Sequence, residues 1–258
     1  MHPILFNING FELRSFGVML MIGFLVGIAM ASRRSERFGL KSSVVQDSAI
    51  WLIVAGIIGA RVLFIVQEWP KFAGRPDQIF KIQMDGLTSF GGLLGGLLAI
   101  LIVSKLKNFK PSQLFDTVGI PMLVAHAIGR VGCLLNGCCY GHACETSPPG
   151  VHVEGLPGYF LPAQLVDFAL VLIGAFIVSR IELGGKLKRG QSFSLVLVVY
   201  GVARFIYEFF RAGTSSTTMG STGMTEAHVA AAVMAMFGFG LYLYQAKRSQ
   251  LVASETVS

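Results

Sequence analysis

Three arginines lie inside apolar runs of this 258-residue chain: Arg61, Arg130 and Arg204. Arginine stays protonated and presents five donors in a planar fork that matches a phosphate. An arginine at the centre of a lone membrane helix costs about 2.5–3.5 kcal/mol on insertion scales, so it is kept facing protein or water, usually for a task. The chemistry these residues suit is capture of an anionic headgroup. Each also has a plainer reading, in which it pairs with a local acid or carbonyl or snorkels outward. For Arg61 alone the plainer reading is the stronger; for the three together the anion site is.

Around two of the arginines the neighbours are informative. Tyr200, Arg204, Glu208 and Arg211 are spaced i, i+4, i+8 and i+11, which puts them on one helix face. Glu208 can neutralise Arg204 and hold its planar head, or the two form a structural ion pair. Gly129 and Gly132 flank Arg130 and let a helix or a substrate approach the backbone. Asn136-Gly137 favours a turn, and Asn136 either caps the helix or bonds a glycerol hydroxyl. Gly91-Gly92 and Gly95-Gly96 form a second small-residue surface, for close helix packing or for a substrate. All four cysteines fall between 133 and 144, spaced C-x4-C-C-x4-C, with His142 among them. Zinc takes Cys and His ligands, but this spacing matches no standard zinc pattern. A disulfide among Cys138, Cys139 and Cys144, or free thiols, are the other readings, and no metal is expected.

Composition says what positions these residues. The chain is 53% hydrophobic and 14% charged, where a soluble domain carries about 25% charged residues. Mean hydropathy is +0.65. A disordered chain, an ordinary soluble enzyme and a basic nucleic-acid-binding domain are excluded. Seven apolar stretches, near 13–31, 48–67, 88–104, 116–135, 162–180, 191–210 and 226–245, have the length of a bilayer-spanning helix. None shows the alternation of a membrane barrel strand. The expected fold is an all-α polytopic membrane protein with seven transmembrane helices. It forms one domain over 1–258, with external loops near 68–87 and 136–161 and a polar tail at 246–258. No internal repeat is visible, and the first span lacks a convincing cleavage site, so it is expected to be retained.

Charge orients the chain. Arg33, Arg34, Arg37 and Lys41, then Lys105, Lys107 and Lys110, then Arg180, Lys186, Lys188 and Arg189, then Lys247 and Arg248 fall on one side. The alternate connections hold only Arg14, Lys71, Arg75, Lys81 and Arg211. Positive loops stay in the cytoplasm, so the N-terminus is expected outside and the C-terminus inside. Arg61, Arg130 and Arg204 then lie at one depth, roughly 8–9 Å below the outer interface at 1.5 Å per residue.

These residues are shared with a known family. From RSFGVML through GARVLF, SFGGLLGG and GRVGCLLNG to YGVARFIYEFFR, the chain resembles the prolipoprotein diacylglyceryl transferases. The resemblance implies transfer of diacylglyceryl from phosphatidylglycerol to the lipobox cysteine of a prolipoprotein signal peptide, forming a thioether and releasing glycerol phosphate. It implies a bacterial cytoplasmic (inner) membrane location with the site toward the periplasmic leaflet. Membrane lipids and the prolipoprotein would be its partners, without nucleic acid and without a cofactor. Arg130 matches the signature arginine, Arg204 and Glu208 the arginine and acid of the penultimate span, Tyr200 the tyrosine before them and Asn136 the last signature asparagine. Phe90 stands where many members have histidine, Phe16 where many have tyrosine, Cys133 in place of an asparagine and Cys138 in place of an acid.

The expected chemistry is alkyl transfer to a thiol. Thiolate is the nucleophile, with a free-cysteine pKa of about 8.5, so nearby positive charge favours it. Arg130 and Arg204 are assigned to the phosphate, and Glu208 to orienting Arg204 or taking a proton. Asn136, Tyr200, Gly129, Gly132, Arg61, Gly91 and Gly92 are assigned to the lipid. Cys138, Cys139 and His142 are candidate replacements for a histidine base. Three other readings remain: a homologue that binds lipid or precursor but has lost catalysis, an anion transporter whose arginines line a path, and a transferase that uses the same lipid donor on another acceptor.

Overall fold

Backbone groups cannot go unpaired in hydrocarbon, so apolar runs of this length fold as helices. The computed structural model describes residues 2–8, 11–72, 88–147, 149–185, 187–212 and 224–255. Its helices are α1 (Ser15–Arg34), α2 (Ser42–Gln67), the short α3 (Trp69–Phe72), α4 (Ser89–Leu106), α5 (Pro111–Asn136), α6 (Ala163–Leu183), α7 (Gln191–Glu208) and α8 (Glu226–Glu255). The seven long ones fall on the seven predicted stretches. α2 and α5 begin one to two turns earlier than expected, and α8 continues through the stretch expected as a tail. Residues 73–87, most of the expected loop near 68–87, lie outside the described residues, as does the side chain of Phe90.

The protein is a multi-pass membrane protein. Among the described residues, five helical segments are long and apolar enough to cross a bilayer: 15–38, 42–67, 111–136, 163–183 and 226–247. α4 offers the shorter apolar stretch Gly91–Leu106. α7 carries Gln191, Arg204 and Glu208 within 18 residues, which lowers its hydropathy. Large apolar side chains such as Ile50, Trp51, Leu98, Phe176 and Phe237 are exposed. Water penalises such a surface and lipid tails do not.

Two small sheets add to the helices. β1 (Ile4–Ile8) and β2 (Phe11–Arg14) form an antiparallel pair before α1. β3 (Ala143–Cys144), β4 (Val151–His152) and β5 (Tyr159–Phe160) form a three-stranded sheet of order β3-β5-β4 between α5 and α6. Strands of two to five residues leave too short an alternation to be seen in sequence.

The chain divides into two compact units, Ala31–Phe115 and Met1–Met30 with Asp116–Ser258. In the first, α2 and α4 meet backbone to backbone. A Cβ added at Gly91 would lie 2.3 Å from the Gly59 carbonyl oxygen, and one at Gly95 would lie 2.2 Å from that of Ala55. A Cβ at Gly92 would lie 3.5 Å from the Gly56 carbonyl oxygen. Small residues permit this approach, so in this unit the glycines serve helix packing. Thr88 donates from both its backbone N and its Oγ1 to the Ala60 carbonyl at 3.2 Å, holding the start of α4. Gly95→Val has no room beside Ala55, and overpacking of this kind costs about 1–3 kcal/mol. We expect a lower thermal unfolding midpoint in detergent; a midpoint equal to wild type would contradict this packing.

In the second unit, α5, α6 and α7 share a core of Ile120, Leu123, Ala127, Val171, Ala175, Val178, Val196 and Ala203. Glycines again set the spacing: a Cβ at Gly174 of α6 would overlap the Val199 side chain of α7, and one at Gly201 of α7 would lie 2.7 Å from the Ala231 carbonyl of α8. Asp116, fully buried near the start of α5, reaches the start of α7. Its carboxylate accepts from the backbone N–H of Gly190 and of Phe193, the latter at 2.9 Å. These are helix-start donors with no intrahelical partner, and negative charge is favourable there.

Candidate functional site

The site is built from three helix faces of this second unit. On α5, His126, Arg130 and Cys133 are spaced i, i+4 and i+7, one face of the helix. On α6, Gln164 and Asp167 are one turn apart and fully buried. On α7, Tyr200, Arg204, Tyr207 and Glu208 follow the same periodicity.

Arg130 is anchored at one edge. Its Nε donates to Asp167 Oδ2 and lies 3.3 Å from His126 Nε2. His126 Nε2 is in turn 3.0 Å from the same carboxylate oxygen. The Asp167 side chain is 1% exposed and that of Arg130 13%. Charges this far from water persist because they are paired. Arg204 is anchored in the same way: its Nη2 lies 2.7 Å from Glu208 Oε2, one turn along α7. Glu208 Oε1 accepts from Thr225 Oγ1 at 3.2 Å. Thr225 immediately precedes α8, and its backbone N donates to His228 Nδ1 at 3.1 Å, so the start of α8 is tied to this ion pair.

One buried ring joins the two. The Tyr207 centroid lies 4.8 Å from Arg130 Cζ and 4.9 Å from Arg204 Cζ. Tyr207 is fully buried, and its hydroxyl donates to the Cys139 carbonyl at 3.3 Å. Cation–π contacts of this kind contribute about 0.5–2 kcal/mol, more when desolvated. Tyr200 stands edge-on to the His126 ring at 5.2 Å.

Several polar groups here remain uncommitted among the described residues. Arg130 uses only its Nε for hydrogen bonds, and Arg204 Nη1 is buried without a partner. Asp167 Oδ1 and Gln164 Oε1 are buried acceptors without a donor. Such groups are costly unless something pairs with them. Donors for an anion and acceptors for hydroxyl groups therefore sit together.

The end of α5 completes the site. Asn136 is its last residue, and Gly137 follows with φ +72°. Gly137 N donates to the Leu134 carbonyl at 3.2 Å and Cys138 N to the Cys133 carbonyl at 3.1 Å. This is the two-bond C-terminal cap in which a left-handed glycine reverses the chain. Gln164 Nε2 donates to the Cys138 carbonyl at 2.6 Å, so α6 holds the turn. The four cysteines are free thiols. The Sγ atoms of Cys133, Cys138 and Cys139 lie within 4.8 Å of one another. Hydrogen bonds from Cys133 and Cys138, with the Arg130 and Arg211 guanidiniums nearby, hold the Cys139 thiol well below the usual thiol range. The His142 Nε2 is 3.2 Å from the Phe209 carbonyl.

The comparison that decides the family is a match of the prolipoprotein diacylglyceryl transferase profile to residues 3–244. The chain belongs to the prolipoprotein diacylglyceryl transferase family. A relative from Clostridioides difficile (strain 630), named phosphatidylglycerol–prolipoprotein diacylglyceryl transferase, is 32% identical over 99% of this chain and 100% of its own. Relatives of the same name from Staphylococcus aureus (strain Newman) and Clostridium tetani (strain Massachusetts / E88) are each 28% identical. They cover 94% and 82% of this chain and 88% and 86% of their own.

Within this member of the prolipoprotein diacylglyceryl transferase family, the predicted residues separate. Arg130, Arg204, Glu208 and Tyr200 come together. Gly129 has open space where a Cβ would be, whereas a Cβ at Gly132 would lie 2.9 Å from the Met19 Cβ, so that glycine seats α1. Gly91 and Gly92 pack α4 on α2, and Arg61 belongs to that other unit, its guanidinium 5.8 and 5.5 Å from the Phe64 and Phe72 rings. Sequence reasoning missed Tyr207, Asp167, His126, Gln164 and Thr225. Asp167 carried a usable signal, since an acid inside an apolar run is a site candidate on the same grounds as the arginines.

Proposed function

We propose that this chain transfers the diacylglyceryl group of phosphatidylglycerol to the lipobox cysteine thiol of a prolipoprotein, the first step of lipoprotein maturation. The substrate sulfur attacks the glycerol carbon bearing the phosphate. The C–O bond breaks, a thioether forms, glycerol phosphate leaves with the bonding electrons, and the thiol proton is released to solvent. Seven helices would cross the inner membrane, with the N-terminus and the site on the periplasmic side. The excess of Lys and Arg in the alternate loops supports that orientation.

One observation carries the reading: two guanidiniums, each fixed by a carboxylate at one edge, keep their remaining donors uncommitted on either side of the link made by Tyr207. Fixed donors that need not reorganise stabilise charge as it grows on the departing phosphate. Asp167 Oδ1 and Gln164 Oε1 suit the hydroxyls of the headgroup. Glu208 orients Arg204, and Tyr200 steadies His126 behind Arg130. Arg61, Gly91 and Gly92 have packing contacts of their own.

The test is a purified-protein assay with phosphatidylglycerol and a lipobox peptide, in which mass spectrometry detects the added diacylglyceryl mass. Arg204→Ala is expected to lower transfer about 10²- to 10³-fold, the usual loss for one donor to developing charge. Wild-type protein that leaves the peptide unmodified, yet moves labelled anions into vesicles, would replace this reading with transport.

A further inference from the structure

We infer that Cys133, Cys138 and Cys139 form a three-thiolate site for Zn2+ whose fourth position takes the incoming substrate thiol. The second half of this statement rests on the transferase reading; the first half does not. In sequence, four residues separate Cys133 from Cys138, too many for a standard zinc knuckle. The cap at the end of α5 removes that separation. Its outer bond runs from Cys138 N to the Cys133 carbonyl, which stacks the first residue of the last helical turn against the second residue beyond the helix. That position is ordinarily filled by a hydrophobic contact; here it is thiol on thiol. Cys139 follows with φ +63°, a left-handed conformation rare for a residue with a side chain, and brings a third sulfur to the other two.

The geometry suits the ion. Zinc–sulfur bonds of about 2.3 Å in a tetrahedron put sulfurs roughly 3.8 Å apart. The three Sγ atoms are already within 4.8 Å, so side-chain rotation of about 1 Å closes the site. The turn is held from outside by Gln164 on the Cys138 carbonyl and Tyr207 on the Cys139 carbonyl. Three protein ligands leave a fourth position open, the arrangement of catalytic rather than structural zinc. Tyr207 links the cluster directly to Arg130 and Arg204, so a thiol bound there lies beside the phosphate-binding donors.

The chemistry balances. The substrate thiol loses its proton to solvent on binding Zn2+, and its sulfur attacks the glycerol carbon. The phosphate leaves with the C–O electrons, and the neutral thioether, a weaker ligand, departs from the metal. A free thiol of pKa about 8.5 is only about 3% thiolate at pH 7, and metal coordination removes that limit.

Co2+ added to the metal-free, detergent-purified full chain tests the site without reference to activity. One equivalent per chain is expected, with the intense near-ultraviolet thiolate-to-cobalt absorption. Zn2+ should displace it. Cys138→Ser and Cys139→Ser should lose the band, and Cys144→Ser should keep it. Wild-type protein with no thiolate–cobalt band, or a band lost equally in Cys144→Ser, overturns the site. In the peptide assay, chelation should lower transfer at pH 7 at least about tenfold, since a free thiol is only about 3% thiolate there, with recovery on adding Zn2+. Undiminished transfer by chelated protein overturns the thiol-activating role while the transferase reading stands. Absent transfer under every condition refutes the transferase reading while the cobalt titration still decides the metal site.

Discussion

Arg130→Ala is expected to abolish diacylglyceryl transfer, and Arg130→Lys to reduce it by about 10²- to 10³-fold, the loss typical of a preorganised donor to developing charge. The lysine variant is the informative one. It keeps a positive charge opposite Asp167, so the buried carboxylate stays neutralised and the thermal unfolding midpoint should stay close to wild type. What it loses is the planar fork, which lets Arg130 hold Asp167 with Nε while its outer donors stay free for the proposed phosphate contact. Arg130→Lys protein with wild-type transfer would remove Arg130 from the phosphate.

The second large effect is on stability. Asp167→Ala leaves the Arg130 guanidinium, 13% exposed, without its anionic partner. Removing one partner of a buried ion pair costs about 3–5 kcal/mol because the remaining charge is uncompensated. His126 loses the same partner. Thermal unfolding in detergent should show a large fall in midpoint. The double variant Asp167→Ala with Arg130→Ala should be more stable than Asp167→Ala alone, since no orphan charge remains, and still inactive. A double variant less stable than Asp167→Ala would mean the carboxylate does not act through Arg130.

The two experiments separate what the sequence disclosed from what it hid. The seven helical stretches were legible because apolar length is a one-dimensional property. Arg130, Arg204 and Glu208 were legible because a charge in hydrocarbon is conspicuous, and Glu208 is one turn from Arg204 on the same helix. Asp167 as the partner of Arg130 was not, because pairing between helices depends on how each is rotated about its axis, which periodicity leaves open. Tyr207 lies three residues after Arg204 and so on its side of α7, but tyrosine near a membrane surface has many uses. Its place between two arginines is a tertiary fact. The Gly91-Gly92 surface shows the reverse case: the same small residues suit a lipid or a neighbouring helix, and only the structure shows that a side chain at Gly91 would run into the Gly59 carbonyl oxygen. The thiol cluster was hidden by counting along the chain, since a helix cap folds a five-residue step back on itself.

The carboxylate of Asp116 at the start of α7 does more than satisfy two amides. Asp116 precedes Arg130 by fourteen residues, and Gly190 precedes Arg204 by fourteen. At 1.5 Å per residue both offsets are about 21 Å. Joined at that end and running the same way, the two helices share a common zero mark, and their guanidiniums arrive level with each other. The connection between α6 and α7 can then lengthen or shorten without tilting the clamp, because the height of Arg204 is gauged from α5 rather than from the loop that leads into its own helix.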